Sequence, residues 1–326
     1  MSAASTGKKV VVTGRIPQAG VDMLVEAGHD VVAWTDREVI GRDELLRRVA
    51  GADVIVSLLT EKVDAELLDA AGPQLRAVCN VAVGYNNIDV PACTARGVVA
   101  TNTPGVLTDA TADIAMALIL MSTRRLAEGE RLIRSGEPWK WGMFMMLGTG
   151  IQGRQLGILG MGQIGAATAR RAKAFGMNIV YSNRNRADQA LVDELDAGYV
   201  DMATLLSTSD VVSLHCPYSP ATHHLIGEPE FAQMKPDAFL INTARGPVVD
   251  EAALVTALEQ GQIGGAGLDV FENEPEVHPG LLGRNDVVLI PHLGSATVET
   301  RTAMATLATS NANAILRGES ALTPIG

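Results

Sequence analysis

Aromatic residues are scarce in this chain: three Trp, four Tyr and five Phe among 326 positions, 4% in all. Its core must therefore be built from Ala, Val, Leu and Ile, and 47% hydrophobic against 19% charged residues is the composition of a folded globular protein, not a disordered one. Positive charge is short too, with 26 Lys and Arg against 37 Asp and Glu, a formal net charge of −11. No global field draws nucleic acid or an anionic membrane, so an anionic ligand must be met by local donors. The only cysteines are Cys79, Cys93 and Cys216, odd in number and without C-x-x-C spacing. That argues against a disulfide framework or a thiolate metal site, and the expectation is reduced thiols in a cytoplasmic protein with no metal. Long hydrophobic runs are missing as well. The start, MSAASTGKK, lacks the apolar stretch of a signal peptide, and the longest apolar run, around Ile114 to Met121, is far too short to cross a bilayer.

What is present is an alternation. Apolar runs at KKVVVTG, DVVAW, ADVIVSL and LRAVCNVAV are separated by amphipathic stretches at Pro17 to Ala27, Arg42 to Val49 and Asp64 to Ala71. Continuous apolar strands between helices indicate parallel βα units. The segment from Thr108 breaks the rhythm, because Thr108 or Asp109 can cap a helix predicted to run on for more than twenty residues and to link two domains. A second series follows, QLGILG, NIVYS, DVVSLHC, AFLINTA, GGAGLDVF and DVVLIPH, which is a complete doubly wound α/β pattern by itself. The alanine-rich stretch from Thr297 to Leu316 is one more helix with no strand after it, so it is expected to return to the first domain. The resulting division is residues 1–104 plus 294–326 for one domain and 105–293, inserted, for the other.

Gly160, Gly162 and Gly165 stand in G-x-G-x-x-G spacing between an apolar strand and an alanine-rich helix. The first permits a tight turn, the second lets the backbone approach a pyrophosphate, and the third allows close helix packing, with the helix N-terminus favouring the phosphate charge. The next strand ends in VYSNRNR, where an NAD-specific site commonly places a carboxylate against the ribose hydroxyls. Here Ser182 and Asn183 remove the repulsion a carboxylate would exert on a 2′-phosphate. Arg184, with Arg186 as a second donor, can form charge-assisted hydrogen bonds to it. NADP(H) is the expected cofactor, with NAD(H) as the alternative.

Three polar residues follow successive apolar strands: Arg245 after AFLINTA, Glu274 after GGAGLDVF and His292 at the end of DVVLIPH. In a parallel sheet such residues share one edge, where ligands bind. Arg245 can hold a carboxylate and polarise a ketone, His292 can give or take a proton on oxygen, and Glu274 can orient the imidazole. His29, His223, His224 and His278 read as structural. His215 reads as a packing or cofactor contact.

With these residues in view, NTARGPVVDEAAL, GAGLDVFENEP, PHLGSAT and GMGQIG together resemble the D-2-hydroxyacid dehydrogenases, from about Val10 to Leu316. The resemblance implies a Rossmann cofactor domain inserted in a flavodoxin-like substrate domain, with Arg245, Glu274 and His292 as the catalytic set. It implies a cofactor site formed by Gly160, Met161, Gly162, Gln163, Ile164, Gly165, Ser182, Asn183, Arg184, Arg186, Cys216, Pro217, Thr222, Thr243, Ala244, Arg245, Asp269, His292 and Gly294, Asp269 holding the nicotinamide carboxamide. It also implies substrate contacts from the Val83 and Gly84 amides and from Arg245 and His292, a homodimer, and Trp141 reaching the neighbouring subunit's site. VGYNNID, PGVLTDATAD and the SNR triplet are most similar to the glyoxylate and hydroxypyruvate reductase branch. Phosphoglycerate dehydrogenases commonly carry an acid at the ribose position, and formate dehydrogenases of this fold pair their histidine with glutamine, unlike Glu274 here. The expected reaction is NADPH-dependent reduction of glyoxylate or hydroxypyruvate to the D-2-hydroxy acid. A 2-ketogluconate reductase and a nucleotide-sensing corepressor-like protein are the alternatives. The Met143 to Met146 cluster departs from relatives of this branch and reads as an adaptable apolar wall or subunit contact.

Overall fold

Val10, Val11 and Val12 are buried on both faces of a sheet, which is why the run KVVV shows no polar alternation. The computed structural model describes residues 7–325; residues 1–6, most of the stretch read above against a signal peptide, lie outside the described residues. Among the described residues no helix is long and apolar enough to cross a membrane.

The chain divides into two units, Met1–Leu107 with Ala296–Gly326, and Thr108–Ser295. In the first, β1 (Lys9–Val12), α1 (Gln18–Glu26), β2 (Asp30–Ala33), α2 (Arg42–Val49), β3 (Val54–Ser57), α3 (Ala65–Ala71), β4 (Ala77–Asn80), α4 (Val90–Ala95) and β5 (Val99–Thr101) build a parallel sheet of order β2-β1-β3-β4-β5. Asp64 and Asp89 cap α3 and α4 by accepting the amides of Leu67 and Ala92.

In the second unit, α5 (Thr108–Thr123), α6 (Leu126–Ser135), β6 (Gln155–Leu159), α7 (Gln163–Ala174), β7 (Asn178–Ser182), α8 (Gln189–Leu195), β8 (Gly198–Tyr199) and α9 (Met202–Thr208) come first. They are followed by β9 (Val211–Leu214), α10 (Glu228–Phe231), β10 (Phe239–Asn242), α11 (Glu251–Glu259), β11 (Gly265–Leu268) and β12 (Val287–Leu289). The sheet order is β12-β11-β10-β9-β6-β7-β8, all parallel, with apolar clusters on its two faces. Chain direction across the sheet reverses between β6 and β9, the switch point where doubly wound sheets bind ligands.

The last helix, α12 (Val298–Leu316), belongs to the first unit. It packs against α1, where the absent side chain of Gly20 permits close approach: a Cβ there would lie 3.0 Å from that of Ala305. The tail beyond it runs along β5, with the Ile325 amide donating to Ala100 and Thr101 bridging Pro324 in antiparallel sense.

One local expectation needed correction. The helix beginning at Thr108 does not run past twenty residues; it stops after 16 because Arg125 adopts a left-handed conformation at φ 53°. The Thr149 amide takes the Thr123 carbonyl at 2.7 Å, the acceptor that a continuing helix would give to Ala127. The two-residue strand β8 was not anticipated, since GY carries no periodicity.

Candidate functional site

The glycine turn joins β6 to α7. Gly160 sits at φ 101°, and a Cβ there would come within 2.6 Å of the Cys216 amide. At Gly165 a Cβ would meet the Gly160 carbonyl at 2.3 Å, so this glycine lets α7 seat on the turn. Gly162 faces open space, with nothing within 4 Å of a Cβ, and caps α7 without a side-chain hydrogen bond. Its neighbours Gln163 and Ile164 therefore begin a helix whose first amides stay available to an anion.

Along the same strand-end edge lie two buried polar atoms without a partner among the described residues, Thr243 Oγ1 after β10 and His215 Nδ1 after β9. Buried polar atoms ordinarily have partners. Together with the uncapped helix and the open Gly162, they fit a polar dinucleotide laid across the switch point. Burial pushes the His215 ring down to about 4 and the Cys216 thiol up to about 11, so both present neutral surfaces there. Thr222 turns inward: its hydroxyl donates to Pro217 O at 2.8 Å and accepts the Ser219 amide, bracing the loop.

At the end of β7 the Asn183 carboxamide accepts the Met161 amide at 2.7 Å, tying the second strand to the glycine turn. Ser182 accepts the Gly160 amide through its backbone carbonyl. The guanidinium of Arg186 lies over the Tyr199 ring at 4.7 Å, and both Arg184 and Arg186 are exposed.

Arg245, Glu274 and His292 follow β10, β11 and β12, three adjacent strands. Asn242 shapes the Arg245 turn, its amide donating to Arg245 O at 3.0 Å and its oxygen accepting the Ala244 amide. Burial pushes the Arg245 guanidinium down from its ordinary value, and the charge of Glu274 opposes this. His292 Nδ1 pairs with Glu274 Oε2 at 2.8 Å, while Glu274 Oε1 accepts the Phe271 amide at 3.0 Å. Burial pushes the Glu274 carboxyl up, but the hydrogen bond and charge of His292, then the Phe271 amide and Arg245, outweigh it and hold it below the ordinary carboxylate range. With Nδ1 so engaged, Nε2 is the ring nitrogen left to exchange a proton with a substrate oxygen.

Asp269, which the resemblance places at the nicotinamide carboxamide, also has partners within the chain. Its two oxygens accept the Leu293 and Gly294 amides at 2.5 and 2.8 Å, and its carbonyl accepts the His292 amide at 2.8 Å. Asp269 thereby fixes the turn that carries His292 at φ 52°. Burial pushes its carboxyl up against those amides.

In the first unit, Val83 and Gly84 lie on the loop after β4, where Asn102 Nδ2 donates to Val83 O at 2.8 Å and Asn80 Nδ2 to Gly84 O at 3.0 Å. Both carbonyls are thus held by side chains of buried or strand-end asparagines. Trp141 is 77% exposed on the segment after α6. Asn242, Tyr199 and the His224–Glu272 pair were missed by sequence reasoning. Tyr199 and the His224–Glu272 pair meet partners 16 and 48 residues away, whereas Asn242 bonds the backbone two and three residues on, and its strand-end position could have signalled that.

A doubly wound sheet with a glycine turn at its switch point, and with Arg, Glu and His at the ends of its last three strands, defines a nicotinamide-dependent dehydrogenase. Comparison with known proteins agrees. Residues 116–294 match the family profile described as D-isomer specific 2-hydroxyacid dehydrogenase, NAD binding domain. A glyoxylate reductase of Thermococcus litoralis is 50% identical over 316 residues, 95% of this chain and 94% of that one. Among solved structures, a glyoxylate reductase from Paecilomyes thermophila superposes with a TM-score of 0.88 at 38% identity, covering 98% of each chain. An NADPH-dependent glyoxylate/hydroxypyruvate reductase from Sinorhizobium meliloti, in complex with NADP and malonate, gives 0.85 at 36% identity over 98% of this chain and 97% of that one. The chain belongs to the D-2-hydroxyacid dehydrogenase family. It is an NAD(P)-dependent enzyme acting on 2-oxo acids.

Proposed function

We propose that the protein reduces a small 2-oxo acid, glyoxylate or hydroxypyruvate, to the D-2-hydroxy acid, glycolate or D-glycerate, with NADPH as the preferred reductant. The observation that carries this reading is the His292–Glu274 pair at 2.8 Å beside the half-buried Arg245, at the strand ends of a doubly wound sheet. A nicotinamide cofactor held by the glycine turn and the strand-end residues would supply the hydride that the ketone carbon accepts. Arg245 holds the substrate carboxylate and draws charge toward the ketone oxygen, and His292 gives its proton to that oxygen as it becomes an alkoxide. Glu274 keeps the imidazole oriented and balances its charge.

NADPH preference is supported by the end of β7, where Ser182 and Asn183 replace a carboxylate and Arg184 is exposed. The named activities of the relatives support the substrate class. Initial rates with glyoxylate, hydroxypyruvate, pyruvate and 2-ketogluconate, each with NADPH and NADH, test the reading; a higher kcat/KM with NADH, or 2-ketogluconate as the best substrate, would overturn it.

We also infer a homodimer. Trp139, Trp141, Met143, Phe144 and Leu147 expose an apolar face after α6, and Leu126 and Ile133 of α6 are exposed as well. Five large apolar side chains exposed between positions 139 and 147 support an interaction surface, and a second copy of this chain is the occupant assigned to it.

A further inference from the structure

His224 lies outside the set of residues that would touch substrate or cofactor, yet it joins the two loops that carry Arg245 and Glu274. Its amide donates to Pro247 O at 2.8 Å, two residues after Arg245. Its Nε2 meets Glu272 Oε1 at 2.6 Å, two residues before Glu274. The other ring nitrogen, Nδ1, faces Asp250 Oδ2 at 3.8 Å, and His223 stacks on the ring at 4.0 Å between centroids. The residue is held at φ 49°, a conformation that few non-glycine residues adopt.

The Glu272 end of this link is fixed from a second side. Buried Glu251 accepts the Glu272 amide at 2.7 Å. The Phe271–Glu272 peptide also lies directly on Gly246, where a Cβ would come within 1.9 Å of the Phe271 carbonyl group. From there the Phe271 amide reaches Glu274, and Glu274 reaches His292. The bonds form a circuit from the Arg245 turn through His224 and Glu272 to Glu274 and His292.

We propose that His224 is a positioning residue for the reaction: by holding Pro247 and Glu272 together it locks the Glu274 loop onto the Arg245 turn, so that both side chains meet the substrate in one geometry. This rests on the assignment of Arg245, Glu274 and His292 made above. A displacement of about 1 Å at such a set is enough to cost on the order of 100-fold in rate.

The test compares H224A, H224Q, E272A and the double variant H224A/E272A in the full-length enzyme, with NADPH and glyoxylate. H224A is expected to lower kcat about tenfold or more while the Kd for NADPH stays within about twofold. Gln places a side-chain N–H near the position of Nε2, so H224Q recovers most of the lost kcat, which a change in packing alone would not produce. E272A matches H224A, and the double variant is no worse than either, as expected of one shared link. Unchanged kcat in H224A, or additive losses in the double variant, would overturn the proposal. If the alanine variants do not fold, E272D carries the test, since it keeps the charge and withdraws the oxygen from Nε2; a wild-type kcat there overturns it equally. H292A runs alongside. If H292A stays active, the catalytic assignment fails and this inference with it; an inactive H292A beside a fully active H224A removes only His224.

Discussion

The phenol of Tyr199 donates to the Asn183 carbonyl at 3.1 Å while its ring carries the guanidinium of Arg186 at 4.7 Å. Tyr181 packs against the same ring at 5.3 Å between centroids, and its hydroxyl accepts the Ala187 amide at 3.2 Å. Two tyrosines thus hold residues 183–187 from beneath, and one of their arginines is already engaged.

Arg184, with Arg186 as a second donor, is the cation proposed for a 2′-phosphate. Replacing it with Ala is expected to lower kcat/KM for NADPH by roughly 10- to 100-fold, the worth of a charge-assisted hydrogen bond of about 1.5–3 kcal/mol, with NADH little affected. Because the side chain is exposed, the loss should shrink as salt rises. Equal losses with both cofactors would remove Arg184 from this role.

H292A is expected to cut kcat by about 100- to 10,000-fold, the usual span for a general acid, and to leave NADPH affinity nearly intact. Stopped-flow single turnovers and cofactor fluorescence titration measure the two quantities separately. Weakened cofactor binding with normal single turnovers would contradict the role.

Gly246 has no room for a side chain, because a Cβ would overlap the Phe271 carbonyl and lie 2.4 Å from the Glu272 amide. Both obstacles are backbone. G246A should lose roughly 3–5 kcal/mol of stability, near the upper end for single substitutions, measured by urea unfolding. A loss below about 1 kcal/mol would mean that the Glu274 loop shifts freely.

His215 gives a signed pH dependence. Burial lowers its folded pKa to about 4 from the ordinary 6.5, so folding favours the neutral ring. Its contribution is fully present above 6.5 and is lost as pH falls toward 4, by up to about 1.4 kcal/mol per pH unit. H215Q should therefore lose less stability than wild type between pH 7 and about 4.5 in urea melts. Parallel curves would count against a buried neutral imidazole.

The exposed apolar face after α6 leads to an expectation about assembly. Sedimentation velocity should show a species of twice 34.3 kDa, and F144D should move it toward the single-chain mass. A wild-type monomer at micromolar concentration would leave that face unexplained.

The strands and the three candidate catalytic positions were legible because buried parallel strands are short apolar runs and the polar residue after each run stands out. NIVYS spans β7 residue for residue, and Arg42 to Val49 is α2. The α5 break was not legible, since it depends on the Thr149 amide competing for a carbonyl 26 positions earlier. The duty of Asp269 was hidden for a related reason: its partners are backbone amides, which carry no sequence signature. Tyr199 was silent because an edge strand of two residues has no period to detect.

The tail beyond α12 has a consequence for solubility. β5 is the last strand of its sheet, and such a strand offers open backbone groups to any neighbouring chain. The Ile325 amide bonds Ala100, the Asn102 amide bonds Thr323, and Asn311 holds the Leu322 and Thr323 amides in place. Residues 323–325 thereby occupy the template that would otherwise recruit foreign strands, and the fold carries its own guard against aggregation at that margin.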